Sequence, residues 1–316
     1  MMAISKVDIT QFEAETGSWL QSVFFRRTVL EAYGPALKCF VMHSGRECVG
    51  GFVAFETTIL GRKALITPPF FPNIGPLFRQ STGKTVVRNT MMKKQMTEWI
   101  DFMENSGYRV YEMVLPPEVS DMQPAIWSGL DVAVRYTYRL DLTQSETDIF
   151  AGYEDKLKAD LRKALNGNVR QSSVIPNSEN TSLIRAGLEG KSALKHVGIF
   201  NSFLQALARE EAHVAEVSDA MGHAAQALWV PGKSTAYYMF GGTSDSGKVI
   251  GAGPLSLHNA ILGAKEKGVH VFDFEGSMIS GVERYFRQFG GTLTPYYVVS
   301  KGMKTYQGLR KALGKI

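Results

Sequence analysis

Two stretches late in the chain place residues capable of chemistry at short spacing. The first, Phe272-Asp273-Phe274-Glu275-Gly276-Ser277, carries two carboxylates and a hydroxyl. In an extended segment alternate residues share a side, so Asp273 and Glu275 would face one way and Phe272 and Phe274 the other. Carboxylates so placed suit general-base work, taking a proton from an attacking amine. The structural alternative is that one caps the next helix and the other pairs with Arg284 or Lys265. The second stretch is Lys248-Val-Ile-Gly251-Ala-Gly253. Read as lying between a strand and a helix, it offers free backbone N–H groups and the positive end of the helix dipole to an anion, and its glycines allow close approach. Lys248, Gly251, Gly253 and Ser256 are therefore expected to hold the phosphate-bearing part of a ligand.

These residues need a frame, and the pattern from Ser234 to Gly291 supplies a βαβ-type unit. A strand over Thr235–Gly241, a helix over Leu255–Lys267, a strand over Val269–Phe274 and a short helix stopping at Gly290-Gly291 are bounded by Gly, Pro and Ser. Open sheets bind ligands at the C-terminal ends of such strands. Upstream, the second half reads as a charged helix over Ile149–Leu165, strand Val169–Ile175, helix Ile199–Glu210 and strands over His213–Asp219 and Ala224–Val230. The first half reads as a helix over Trp19–Ala32 and a meander over Leu37–His43, Cys48–Leu60 and Ala64–Thr67. A helix over Thr85–Asn105 and strands over Tyr108–Leu115 and Val132–Leu142 complete it. Each half thus follows the same coarse order, which implies duplication, with domains at 1–142 and 143–302. A C-terminal helix within 303–316 is expected to return to the first domain.

The segment Ile66–Phe78 has too many prolines for a central strand and is too apolar for a solvated loop. Phe71 and Asn73 are therefore expected to line an acceptor site with Trp127 and Tyr138. Tyr237 and Tyr285 join the expected substrate-binding set.

A chain of 316 residues with 44% hydrophobic and 21% charged residues has the composition of a two-domain globular protein. Its net charge of +5 fits an anionic ligand without demanding nucleic acid. Two cysteines, Cys39 and Cys48, flank a turn at Ser44-Gly45 and are expected as free thiols in a reducing cytoplasm. No apolar run is long enough to span a bilayer. Gly242-Thr-Ser-Asp-Ser-Gly247-Lys248 has P-loop spacing, but Val249 stands where a Mg²⁺-binding hydroxyl is needed. The six histidines lack ligand spacing, so no metal is expected. No G-x-S-x-G marks a nucleophile.

A GxG separated by two residues from a preceding basic residue, preceded by a meander and followed by helix and strand, resembles the acyl-CoA-binding half of the GNAT acyltransferases. Together with Ala264-Lys-Glu-Lys-Gly268, Asp273-Phe-Glu-Gly276 and Phe286-Arg-Gln-Phe-Gly-Gly291, it is similar to the Fem-type transferases over Tyr237–Tyr297. Where Fem-type proteins carry a Lys before Phe-Gly, this chain has Arg287, which the resemblance implies would steady a phosphate or the developing oxyanion. The resemblance implies an α/β fold with mixed sheets and two tandem GNAT-like domains. It implies an N-acyltransferase moving an acyl or aminoacyl group from acyl-CoA or aminoacyl-tRNA to an amine, with a cell-envelope or polysaccharide precursor as acceptor. tRNA is then a partner and acyl-CoA a co-substrate, neither tightly bound. The rival expectation is a non-catalytic ligand- or RNA-binding protein on the same duplicated scaffold.

Overall fold

The computed structural model describes residues 2–20, 22–72, 75–79, 83–189, 197–276 and 278–303. Asn73, Ser277 and the 304–316 segment expected to be helical lie outside them. The chain packs as two compact units, one reaching Arg135 and resuming at Pro295, the other Tyr136–Thr294.

The chain begins β1 (Met2–Val7), α1 (Ile9–Thr16), α2 (Arg27–Glu31), β2 (Leu37–Ser44), β3 (Glu47–Ile59) and β4 (Arg62–Ile66). It continues through β5 (Leu77–Phe78), α3 (Thr85–Asn105), β6 (Val110–Val114), α4 (Gln123–Trp127) and β7 (Asp131–Asp141). Then follow α5 (Glu146–Ala151), α6 (Asp155–Leu165), β8 (Arg170–Val174), α7 (Ser182–Glu189) and α8 (Val197–Arg209). The remainder is β9 (His213–Asp219), β10 (Gly222–Pro231), β11 (Thr235–Thr243), α9 (Asp245–Ile250), α10 (Ala252–Glu266), β12 (Val271–Asp273), α11 (Ser280–Arg287) and β13 (Thr292–Lys301).

Strand order displays the duplication. The first unit runs β1-β2-β3-β4-β6-β13 and the second β8-β9-β10-β11-β12-β7. Each begins with antiparallel neighbours, then makes one parallel step, β4 to β6 or β11 to β12. Each ends on an antiparallel strand, Val298–Lys301 of β13 on β6 or Arg139–Asp141 of β7 on β12. The parallel steps need long crossovers, and α3 and α10 lie within them. The closing strands are exchanged relative to chain order: residues of β7 from Tyr136 onward belong to the second unit, and those of β13 from Pro295 onward to the first.

Helix α3 buries Gln95, Met96, Trp99, Ile100 and Met103, a stripe at helical spacing. Trp99 meets Phe52 edge-on, and Phe52 stacks on Phe40 at 4.6 Å. The second unit has its own core, built on Trp229, Leu257, Ile261, Phe272, Phe274 and Phe289.

Several elements differ from the sequence pattern for identifiable reasons. The helix expected over Trp19–Ala32 is only α2 with a 3₁₀ turn at Val23–Phe25, because Arg26 is extended (φ −68°, ψ 142°) and breaks the run. Gly152 ends α5, dividing the helix expected over Ile149–Leu165. The apolar, proline-rich segment folds back on its own unit: Leu77–Phe78 pairs with Gly50–Gly51 of β3. Phe71 is a core residue, 7% exposed, packed against Phe24 and Tyr33 with ring centroids 5.4 and 5.1 Å away. Cys39 lies opposite Val53 and Cys48 opposite His43, so the two free thiols are not cross-strand neighbours.

Candidate functional site

β11 and β12 pair in parallel at three positions, ending at Tyr237↔Asp273. β12 then stops, whereas β11 runs on to Thr243. A bulge skips Met239 where β11 pairs with β10, between Leu228↔Phe240 and Trp229↔Tyr238. The parting strands open a wedge-shaped cavity of about 390 Å³. Tyr238–Thr243 line one side, Phe274–Gly276 another, and Ile184, Leu188, Gln226, Gly253, Ser256, Ile279, Val282 and Tyr285 are among the rest.

The end of β12 is fixed by a polar anchor. Arg139 Nε donates to Asp273 Oδ2 at 2.8 Å, while Thr137 Oγ1 and the Glu275 N–H donate to Asp273 Oδ1 at 2.6 and 2.9 Å. The Phe274 N–H donates to the Tyr138 carbonyl at 3.0 Å. Glu275 and Gly276 then take left-handed φ values of 64° and 65°. A Cβ on Gly276 would stand 2.1 Å from the Tyr136 carbonyl oxygen, so the backbone turns there only because glycine occupies the position. This turn takes Glu275 out of strand alternation and onto the cavity wall, while Asp273 stays behind it as a structural ion pair.

The Glu275 Oε1 atom is shut from solvent with no hydrogen-bond partner among the described residues. Burial first, and the Asp273 carboxylate second, push its pKa well above the usual carboxylate range against the opposing pull of Arg139. On β10, Gln226 is 1% exposed; its Oε1 accepts from the Leu183 N–H at 3.0 Å. That bond fixes the amide, and its buried Nε2 has no partner among the described residues. Tyr285 also borders the cavity, and burial raises its phenol pKa. The site therefore presents an unengaged carboxyl oxygen and an unengaged amide donor in a cleft of mixed polar and apolar lining.

Glu275 carries a pH signature. A native pKa above the unfolded value means that its contribution to stability is complete below the ordinary carboxylate pKa and is lost as pH rises through the native one. Glu275→Gln lacks that loss. Its melting temperature relative to wild type should therefore climb with pH across this window, as read by thermal melts at stepped pH; parallel curves would contradict a buried, proton-holding carboxyl.

Of the residues expected from sequence, Gly253, Ser256, Glu275 and Tyr285 meet at this cavity. The Gly-rich stretch is not an open loop: Asp245–Ile250 forms α9, capped by the Ser244 hydroxyl accepting from the Gly247 N–H. Lys248 sits in the last turn of α9, exposed and 2.7 Å from Asp245. Gly251, at φ 77°, joins α9 to α10, and a Cβ there would approach the Asp160 carbonyl oxygen to 2.9 Å. It serves helix packing. Arg287 is exposed, with Nε 3.5 Å from Glu283 Oε1, which also accepts from the Tyr138 hydroxyl at 2.7 Å. Tyr237 holds the last position of β11 paired with β12, before the wedge opens. In the first unit Phe71 is core, whereas Trp127 is 69% exposed beneath Lys93 Nζ at 4.9 Å, so these two do not share a site. Gln226, Met239, Ile184 and Leu188 were not foreseen; a single Gln within Ala224-Ala-Gln-Ala-Leu-Trp-Val230 was the available signal.

No protein-family model matches the sequence, and no curated protein matches it. Solved structures do. FemX superposes with a TM-score of 0.62 at 12% identity, over 93% of this chain and 96% of that one. A tandem GNAT protein from the clavulanic acid biosynthesis pathway gives 0.56 at 12% identity, over 95% and 98%. The C-terminal domain of a putative lysylphosphatidylglycerol synthetase from Agrobacterium fabrum gives 0.57 at 12% identity, over 98% and 99%. The chain has a FemAB-like tandem GNAT fold.

Proposed function

We propose that the protein is an N-acyltransferase, moving an acyl or aminoacyl group from an activated donor to an amine. The observation that carries this reading is the buried, unengaged Glu275 carboxyl on the wall of the wedge between β11 and β12. The acyl arm of the donor lies along β11 beyond Tyr237, where β12 no longer pairs with its backbone. Once ionised, Glu275 accepts the proton of the amine as the new C–N bond forms and the thioester or ester leaving group departs. No covalent enzyme intermediate is needed, and backbone N–H groups at the wedge would steady the oxyanion.

The donor is acyl-CoA or aminoacyl-tRNA. Gly251, the N-cap of α10, makes no side-chain cap to the first turn, and Gly253 and Ser256 border the cavity. The donor phosphates would meet this helix end. For the acceptor we infer a cell-envelope or polysaccharide precursor, a class supported by a neighbour named as a lysylphosphatidylglycerol synthetase.

A thermal-shift panel of acyl-CoAs and aminoacyl-tRNAs tests the reading. A donor at about 100 times its Kd should add roughly 2.7 kcal/mol of apparent stability. Ile279, 63% exposed at the cavity edge, gives the control: Ile279→Trp should narrow the mouth and abolish the shift without altering the melt of the free protein. A shift that survives this substitution would place donor binding elsewhere.

A further inference from the structure

We propose that Glu15, His43 and Cys48 of the first unit form a binding site for a zinc-class divalent ion, separate from the acyl-transfer cavity. Three elements bring them together. Glu15 lies in the last turns of α1, which packs on the sheet so closely that a Cβ on Gly51 would touch Thr16 and Phe12 at 3.1 and 3.2 Å. His43 and Cys48 face each other across the β2–β3 hairpin, and a bulge between Met42 and His43 adjusts the register there.

One ligand atom from each residue lies within 4.8 Å of the others. Glu15 Oε2 lies 2.5 Å from His43 Nε2, an ion pair when the imidazole is protonated, and is shut from solvent, while Glu15 Oε1 accepts from Gln11 Nε2 at 2.8 Å. Among the described residues the Cys48 thiol reaches only the Gly50 carbonyl, at 3.5 Å. Zinc bonds of about 2.0–2.3 Å to N, O and S bring tetrahedral donors to roughly 3.5 Å apart. Small side-chain rotations therefore suffice to admit an ion. An imidazole, a thiolate and a carboxylate suit zinc or cobalt and not the oxygen-seeking calcium or magnesium. When the sulfur–metal bond forms, the thiol proton passes to solvent, and the two anionic ligands balance the charge of the ion. Three protein ligands leave a fourth position for water. Cys39, 2% exposed and paired in register with Val53, stands outside the set.

Cobalt(II) titration of the full chain tests the assignment. One equivalent should produce a thiolate-to-cobalt charge-transfer band in the near ultraviolet, and zinc should bleach it. Cys48→Ser should abolish the band, while Cys39→Ala should keep it. His43→Ala and Glu15→Gln should weaken cobalt binding by at least the roughly 10- to 100-fold seen when a supporting residue of a metal site is lost. The proposal is overturned by absence of the band in wild type, by its persistence in Cys48→Ser, or by wild-type affinity in both other variants. None of these readouts depends on acyl transfer.

Discussion

Glu275→Gln should lower kcat by about 10²- to 10⁴-fold with little change in donor KM, the loss expected when a general base is removed from an intact pocket. Gln keeps the size of the side chain and removes the proton acceptor. The raised pKa sets the pH dependence: at low pH the buried carboxyl holds its proton and cannot act, so wild-type kcat should rise with pH as Glu275 ionises. The variant should lack that rise. Once a donor has been identified by binding, initial rates across pH for both proteins decide the matter. A variant with wild-type kcat, or with an unchanged pH profile, would remove Glu275 from the chemistry and leave it as a pocket wall.

Arg139→Ala should cost about 3–5 kcal/mol of stability, read from urea midpoints at neutral pH. The magnitude comes from the charge left behind: Asp273 has a side chain only 6% exposed, and Arg139 supplies its only ion pair among the described residues. Replacing both residues, as in Arg139→Met with Asp273→Leu, should recover much of that loss because no unpaired buried charge remains. It should not recover activity, since Asp273 also accepts the Glu275 N–H and so fixes the turn that aims the carboxyl. A loss below about 1 kcal/mol in the single variant would mean that water or another group compensates Asp273.

The contrast between the two carboxylates shows where sequence patterning holds and where it fails. The apolar runs and glycine stops reveal β11, α10 and β12 to within three residues of their ends, because apolar tracts bounded by small and turn-forming residues mark them. Alternation then suggests that Asp273 and Glu275 share a role. It fails two residues after β12 ends, where a left-handed backbone at Glu275, set by contacts with β7, sends one carboxylate into an ion pair and the other into the cavity. Lys248 departs from its expected place for a related reason: Asp245-Ser-Gly-Lys-Val-Ile250 carries too few residues for a helical period to show, so α9 is not legible in the sequence. The partners of Gln226 and the meeting of Glu15 with His43 and Cys48 depend on contacts between residues far apart in sequence, which no local spacing encodes.

The exchanged closing strands bear on how the protein is made. Synthesis proceeds from the N-terminus, and domains tend to fold as their residues emerge. Here β1 to β6 leave the ribosome long before β13, so the edge of β6 that β13 covers must wait while the whole second unit is translated. The second unit has no such delay, because β7 precedes the rest of its sheet. A nascent chain therefore completes its units in the reverse of their order of appearance, carrying an open β6 edge that a chaperone must shield or a neighbouring nascent chain can capture.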